Sequence, residues 1–486
     1  MAASFFFYDL ETSGLHPSEA RVMQFAGQRT DENLNPVGDP VNVLIKLASD
    51  VLPSPEAVLL TGITPQQTLQ DGLTEAEFLQ FFYEEVVQPQ TVFLGFNSVR
   101  FDDEFMRYLH YRNFYDPYEW QWYNDCSRWD ILDLVRMTRA LRPEGITWPF
   151  TDDGKPTNRL ELLTKLNGLE HEHAHDALSD VYATINVTKL IRDKQPDLFK
   201  YLFECRNKKK VAKLVLAGQP FVYTSGRYPS DTLNTSVAVL LAKHPEEHSG
   251  IVFDLRFDPQ VYANMSVDEI VAAWRYDPEA KPARKPVKTL KYNRCPAVAP
   301  LGVMNKSEIE ARLQLTLATV RQHFKTLKAV QGVLAEKVLA AQKVLDAERA
   351  ADYKQHPRSV DALMYDGFLA AGDKAMLATV RRTKPTELET IAPRLQDDRL
   401  KQLLPLYKAR NYPRSLSTDE RAEWDAHCAV ALFNGGNNSR LAQYFERLKE
   451  LKAQKDLTDN QRFLVEELQL YGESIMPSDA DESQAE

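Results

Sequence analysis

At 486 residues the chain is long enough for two to four domains of about 150 residues each. Its 43% hydrophobic and 26% charged content exclude a wholly disordered, collagen-like or disulfide-scaffold chain. With 59 Lys+Arg against 69 Asp+Glu the net charge is −10, which excludes a histone-like wrapper of polyanions but leaves room for a local cationic path.

The first part of the chain reads as α/β. Residues 4–8 and 91–96 are short apolar and aromatic runs suited to buried strands. Helical periods follow over 101–111, 127–140 and 174–191, and strands alternating with helices predict a mixed sheet covered on both faces. The run Phe5-Phe6-Phe7 has no basic residue ahead of it and meets Asp9 and Glu11 at once, so it does not read as a secretion signal.

Near Lys200 the composition changes. Arg206, Lys208, Lys209, Lys210 and Lys213 form a basic cluster, strand-like runs follow at 236–242 and 250–255, and a second basic stretch covers 281–294. This predicts a small β-rich domain. Either basic stretch could follow a nucleic-acid backbone or simply be a solvated face. From Lys306 the pattern is helical, with one long period over 307–351 and Gly332 as a candidate break. The acidic 478–486 tail carries no basic residue and is expected to be disordered. The expected division is 1–197, 198–350, 351–475 and a 476–486 tail.

The four cysteines (Cys126, Cys205, Cys295, Cys428) form no CxxC pair, which argues against a zinc or iron–sulfur site, and their sparseness fits a reducing compartment. No apolar run reaches the ~18 residues of a membrane span, and the expected location is the cytoplasm.

Three segments of the first domain carry candidate chemistry. Tyr8-Asp9-Leu10-Glu11 ends the first strand. Residues i and i+2 of a strand share a face, so Asp9 and Glu11 project side by side. Adjacent carboxylates need a cation between them, and hard oxygen donors suit Mg²⁺ or Mn²⁺. A solvated strand end is the plain alternative. In Gly95-Phe96-Asn97-Ser98-Val99-Arg100-Phe101-Asp102-Asp103 a strand gives way to a helix, with Asp102 near its front as a further acid or as an N-cap. His171-Glu172-His173-Ala174-His175-Asp176-Ala177-Leu178-Ser179-Asp180 leads into the last helix. Five helical steps turn ~140°, so His175 belongs in the loop or first turn and Asp180 one turn in. Three alternating histidines also fit a transition-metal cluster, although no soft ligand lies nearby.

Aromatic platforms beside cations suit single-stranded nucleic acid. Residues 110–129 interleave them, with Tyr111, Arg112, Phe114, Tyr115, Tyr118, Trp120, Trp122, Tyr123, Arg128 and Trp129. The alternative for each aromatic is a place in the core.

Taken in order, Asp-x-Glu on the first strand, Asn-x-x-x-Phe-Asp near position 100 and His-x-x-x-x-Asp near 180 resemble the DEDD exonuclease superfamily, in its histidine subclass. The other subclass has Tyr four before the last Asp, where this chain has Asp176. Leu60-Thr61-Gly62-Ile63-Thr64 is similar to the family loop that contacts the terminal nucleotide. Val99-Arg100-Phe101-Asp102-Asp103-Glu104, the 111–118 and 141–146 segments and Tyr407-Lys408-Ala409-Arg410-Asn411 resemble the bacterial exodeoxyribonuclease I family, most closely over the first ~200 residues and least between about 215 and 300.

That resemblance implies a ribonuclease H-like nuclease domain with a mixed sheet, a small β-rich SH3-like domain and an all-α C-terminal domain, joined as a C-shaped clamp. It implies processive 3′→5′ hydrolysis of single-stranded DNA to 5′-mononucleotides in DNA repair and recombination. Two Mg²⁺ ions, replaceable by Mn²⁺, would be held by Asp9, Glu11 and Asp180. Asp102 would assist, His175 would be general base, and Glu11 would also touch substrate. Arg107, Tyr118, Trp122 and Arg136 would line the strand path, with Arg159 on the phosphate near the reacting centre. The expected partners are single-stranded DNA and the acidic C-terminal tail of single-strand-binding protein, met by Arg142. A monomer without membrane contact is expected. A trimming exoribonuclease, a polymerase proofreading subunit and a non-catalytic repair scaffold are rival readings. The first two are disfavoured by a chain far longer than one nuclease domain, the third by the intact constellation.

Overall fold

The computed structural model describes residues 4–169, 176–245, 248–275, 285–355 and 358–476. Its first sheet is built on β1 (Phe5–Thr12), an aromatic strand buried on both faces until it reaches its two carboxylates. β1 pairs antiparallel with β2 (Val22–Thr30) and parallel with β4 (Val92–Gly95). β3 (Val41–Leu44) and β5 (Ser127–Asp130) complete the order β3-β2-β1-β4-β5. The sheet is mixed, as expected. Gly27 on β2 has a packing reason to be glycine, because a Cβ there would lie 2.4 Å from the Phe6 ring.

The helices over this sheet are α1 (Asp102–Arg112), α2 (Ile131–Leu141) and α3 (Ala177–Lys194). The helix expected over 127–140 is corrected in its first turn, since Ser127–Asp130 is β5 and only Ile131 onward is helical. Asp130 ends the strand and caps the helix, its carboxylate accepting from Leu132 N–H at 2.9 Å.

The middle domain opens with the basic helix α4 (Lys208–Leu216), which contains most of the first lysine cluster. β6 (Phe221–Thr224), β7 (Thr235–Lys243), β8 (Ser249–Asp254), β9 (Val287–Lys291) and β10 (Ala297–Pro300) form an antiparallel sheet in the order β10-β6-β7-β8-β9. The predicted long helix is two helices, α5 (Ser307–Leu313) and α6 (Leu317–Gln355). The break lies at Gln314, which takes φ 51°, and not at Gly332, which α6 runs straight through. A helical glycine costs about 1 kcal/mol relative to alanine, which a long packed helix absorbs. The tail beyond 476 lies outside the described residues.

Helices and short 3₁₀ turns make the C-terminal domain, and a buried ion network ties it to the first sheet. Arg410, on α7 (Asp398–Asn411), donates to Asp50 at 2.6 Å and to Asp361 at 2.8 and 2.9 Å. Arg21 reaches the same Asp361 at 2.7 Å, and His427 stands 3.4 Å from Asp50. Burial raises carboxyl pKa values, yet Arg410 and Arg21 overcome it and hold Asp361 at about 2. Asp50 lies well below the usual carboxylate range for the same reason, with His427 adding to the pull. A second junction joins Arg112, Asn113 and Asn411 around Glu75, with Arg112 donating to Glu75 at 2.7 Å.

Candidate active site

Strand period and helix phase build the centre. Asp9 and Glu11 stand opposite Ala26 and Gln24 of β2 and leave β1 on one face. α3 packs against β1, and its N-cap Asp176 accepts from Ser179 N–H at 3.0 Å. That cap places Asp180 one turn into the helix, over the end of β1. Carboxylate oxygens of Asp9, Glu11 and Asp180 all lie within 4.8 Å of one another.

Asp102 joins them from below. It is the first residue of α1, whose N-cap position belongs to Phe101 with no side-chain bond, so Asp102 is not the cap. Its Oδ1 accepts from Leu10 N–H at 3.2 Å, between the two outward carboxylates of β1. Gly95 lets the β4–α1 turn approach this closely, because a Cβ there would meet Ser98 Cβ at 2.7 Å and Tyr8 O at 2.9 Å.

Burial, then Asp102, Glu11 and Asp180, push Asp9 well above the ordinary carboxylate range. Burial and Asp180 push Glu11 up to about 8, and burial takes Asp102 to about 8. The charges acting most strongly on Asp9 and Glu11 are all carboxylates. An all-oxygen anionic cluster of this kind is matched to hard divalent cations. The donor set fits the metal the sequence implied.

The cluster opens into a cavity of about 500 Å³ lined by Asp9, Asp180, Asn97, Asn158, Arg136 and Arg159. Arg136 is tied to Asp133 at 2.7 Å, and Arg159 reaches out from the rim beside Glu161. The other strand-path candidates meet in a separate cavity of about 570 Å³. There the Arg107 guanidinium sits 5.1 Å over the Tyr118 ring, and Trp122 is 59% exposed. Arg128, Arg206, Lys208, Lys291 and Arg294 face the same space. Trp120, Trp129 and Phe114 take the core alternative and are buried.

Arg142 lies at the C-terminal end of α2 and donates to its neighbour's carbonyl, Leu141 O, at 2.7 Å. Arg312 of α5 donates to Ala140 O at 3.2 Å. Two guanidiniums therefore donate to successive carbonyls at one helix end, an arrangement invisible at a separation of 170 residues. His175 and the other two histidines of its segment lie outside the described residues.

Two supporting groups carried no obvious mark in the sequence. Asp103 accepts the Tyr8 hydroxyl at 2.6 Å and pairs with Arg128, which locks α1 beneath β1. Asp130, besides capping α2, accepts from Asn97 N–H at 3.0 Å and Val99 N–H at 3.3 Å. It thereby holds the turn in which Asn97 adopts φ 68°. The Trp-Asp-Ile-Leu pattern at 129–132, an acid just before an apolar helix start, was the available signal.

Known proteins match this arrangement domain by domain. The Exonuclease family profile covers residues 6–188, the Exonuclease I SH3-like domain 206–343 and the Exonuclease I C-terminal domain 358–475. Exodeoxyribonuclease I of Escherichia coli K12 is 41% identical over 432 residues, 87% of this chain and 89% of that protein. The structure of E. coli exonuclease I with a dA16 oligonucleotide superposes with a TM-score of 0.89 at 38% identity, covering 98% of this chain and all of the other. An exonuclease I structure in complex with SSB-Ct gives 0.90 at the same identity and coverage. Similarity of this depth runs through all three domains, including the middle one where the sequence pattern was weakest, and the chain belongs to the exodeoxyribonuclease I family.

Proposed function

We propose that the protein is a Mg²⁺-dependent, processive 3′→5′ exodeoxyribonuclease that degrades single-stranded DNA to 5′-mononucleotides in repair and recombination. Exonucleases of this type depend on divalent metal. The observation that carries the reading is the Asp9–Glu11–Asp180 cluster at the floor of a cavity walled by Arg136 and Arg159. A phosphodiester needs acids that hold cations at one end and guanidiniums that hold its charge at the other. Two bound ions would supply an activated water and neutralise charge on the leaving 3′ oxygen.

The remaining steps belong to the chain's own residues. Asp9, Glu11 and Asp180 would hold the ions, and Asp102 fixes the end of β1 through Leu10. Glu11 also borders the terminal nucleotide. Arg159 and Arg136 orient the phosphate. Arg107, Tyr118 and Trp122 carry the strand behind it, Trp122 and Tyr118 by stacking and Arg107 by charge. His175 removes the proton of the attacking water, a role suited to a group whose ordinary pKa is ~6.5. Four cysteines without disulfides accord with work in the cytoplasm. No helix among the described residues is long and apolar enough to cross a membrane.

His175→Ala is expected to lose turnover by roughly 10²–10⁴-fold with DNA affinity intact. A variant that turns over like the wild type would remove His175 from the base role. The acidic tail of single-strand-binding protein fits the Arg142 and Arg312 pair at the end of α2. Arg142→Ala is expected to weaken binding of that peptide about ten-fold while leaving digestion of bare DNA unchanged. Peptide affinity equal to wild type by fluorescence anisotropy would place the docking site elsewhere.

Matched DNA and RNA oligonucleotides test the substrate class. Rapid release of nucleotide from DNA and slow release from RNA is expected. The reverse preference would make the protein a trimming exoribonuclease.

A further inference from the structure

The ladder between β1 and β2 is regular up to Glu11, opposite Gln24, and shifts register between Glu11 and Thr12. Past Glu11 the chain is held by other bonds. Ser13 N–H donates to Arg21 O at 2.8 Å, and Arg21 N–H donates to Ser13 Oγ at 2.8 Å. Ser54 N–H donates to Ser13 O at 2.7 Å. Gly14 lies against the same residue, since a Cβ there would stand 3.8 Å from Ser54 Cβ. The backbone two residues beyond a carboxylate of the centre therefore rests on Ser54, forty residues away in the chain.

Ser54 takes the N-cap position of the short helix Pro55–Thr61. Two turns of helix do not hold themselves in water. The support comes from the far end of the chain, from α8 (Arg440–Lys452) and α9 (Asp459–Ser474). Val58 is fully buried in one cluster with Leu441, Tyr444, Leu448, Leu464 and Leu468. Polar bonds flank that cluster. The buried Tyr471 hydroxyl donates to Val51 O at 3.1 Å, the Gln66 amide to Glu467 O at 2.6 Å, and Arg447 to Glu56 at 2.5 Å. The Tyr444 hydroxyl donates to Leu468 O at 2.7 Å and ties α8 to α9. Among the described residues, no side chain of α8 or α9 lines the carboxylate cavity or the platform cavity. A grip on the strand in those cavities thus does not account for this packing.

We propose that α8 and α9 belong to the framework of the active centre: through Val51, Val58 and Ser54 they hold Ser13 and so position Glu11 for the metal. This rests on the reading of Asp9, Glu11 and Asp180 as metal ligands. Ser54 and Tyr471 are positioning residues, since neither touches the reacting atoms. Outer supports of this kind change metal affinity by roughly 10–100-fold when broken, because a ligand displaced from its place binds poorly.

Two variants of the full chain break the support at its two ends. Ser54→Pro replaces the N–H that Ser13 O accepts, at a residue whose φ of −62° already suits proline. S54A keeps that N–H and is its reference. Tyr471→Phe removes only the hydroxyl on Val51 O. Mn²⁺ binding to the metal-free proteins is measured by electron paramagnetic resonance, well below each melting temperature, so that lost fold cannot imitate the effect. S54P is expected to bind Mn²⁺ about ten-fold more weakly than S54A, and Tyr471→Phe about three-fold more weakly than wild type. Affinity for an oligothymidylate in EDTA is expected to stay unchanged. Release of the first nucleotide in a single turnover is expected to slow at low Mg²⁺ and to recover at high Mg²⁺. Mn²⁺ affinities equal to the references would overturn the proposal. Weakened strand affinity with unchanged Mn²⁺ affinity would do so too, and would make the two helices a grip. An effect of S54P without one of Tyr471→Phe would overturn the part assigned to α9. If the wild type binds no Mn²⁺, the reading of the carboxylates as a metal site fails instead.

Discussion

Asp9→Asn is expected to lose at least about a thousand-fold in turnover and yet to melt higher than the wild type in EDTA. Both effects come from one cause. Asp9 is buried among Asp102, Glu11 and Asp180, and without metal these carboxylates repel. The amide keeps the shape and stays neutral without taking up a proton, which spares about 1–2 kcal/mol of the cost of burying this acid among others. The sign with pH follows from the raised pKa values. A carboxyl raised above its unfolded value of ~4 gives stability that is complete below that pH and is lost as pH rises through the folded value. Glu11 and Asp102 stand at about 8, so metal-free stability should fall between pH ~4 and ~8. Bound Mg²⁺ requires the charged forms, so the melting gap between Mg²⁺ and EDTA should widen over the same range. A gap independent of pH, or an Asp9→Asn protein that melts lower in EDTA, would contradict this description of the cluster.

The second large effect concerns the joint between the first and last domains. Arg410→Ala should cost about 3–5 kcal/mol, because it strips Asp50 and Asp361 of their shared cation while both stay buried. Arg21 remains on Asp361, but Asp50 keeps only His427 within the network. Domain release is expected before global unfolding, visible as limited proteolysis near residues 358–361 and as earlier dissociation from a long strand. In the wild type the joint should weaken on acidification only well below pH 4. Asp361 is depressed to about 2, so its contribution is present above the unfolded value of ~4 and is lost as pH falls through 2. Wild-type stability and unchanged product lengths after one encounter would show that the joint is not what holds the C-terminal domain on the strand.

The parts of this molecule legible in its sequence are those set by local period. Asp9 and Glu11 share a face because strands repeat every two residues, and Asp180 reaches them because the helix begins where the Asp176 cap sits. Short elements without a period of their own were hidden. β5 is four residues, Ser-Arg-Trp-Asp, running directly into a helix whose apolar spacing masks it. β2 carries Gln24, Gln28 and Arg29 and does not look like an inner strand, although Gln24 and Gln28 are buried and Arg29 is half-buried. Gly332 looked like a break, but nothing crowds it and the helix continues, whereas Gln314 carried no signal for its left-handed turn. Pairings across hundreds of residues, such as Arg21 with Asp361 or Arg312 with the end of α2, had no local signature at all.

The most direct test of the whole account uses one single-stranded DNA oligonucleotide labelled at its 3′ end and, separately, at its 5′ end, digested with Mg²⁺ or with EDTA. Immediate release of labelled mononucleotide from the 3′-labelled strand is predicted, with the 5′ label released last and both reactions abolished by EDTA. Early release of the 5′ label, or digestion that persists in EDTA, would contradict a metal-dependent 3′→5′ exonuclease built on Asp9, Glu11 and Asp180.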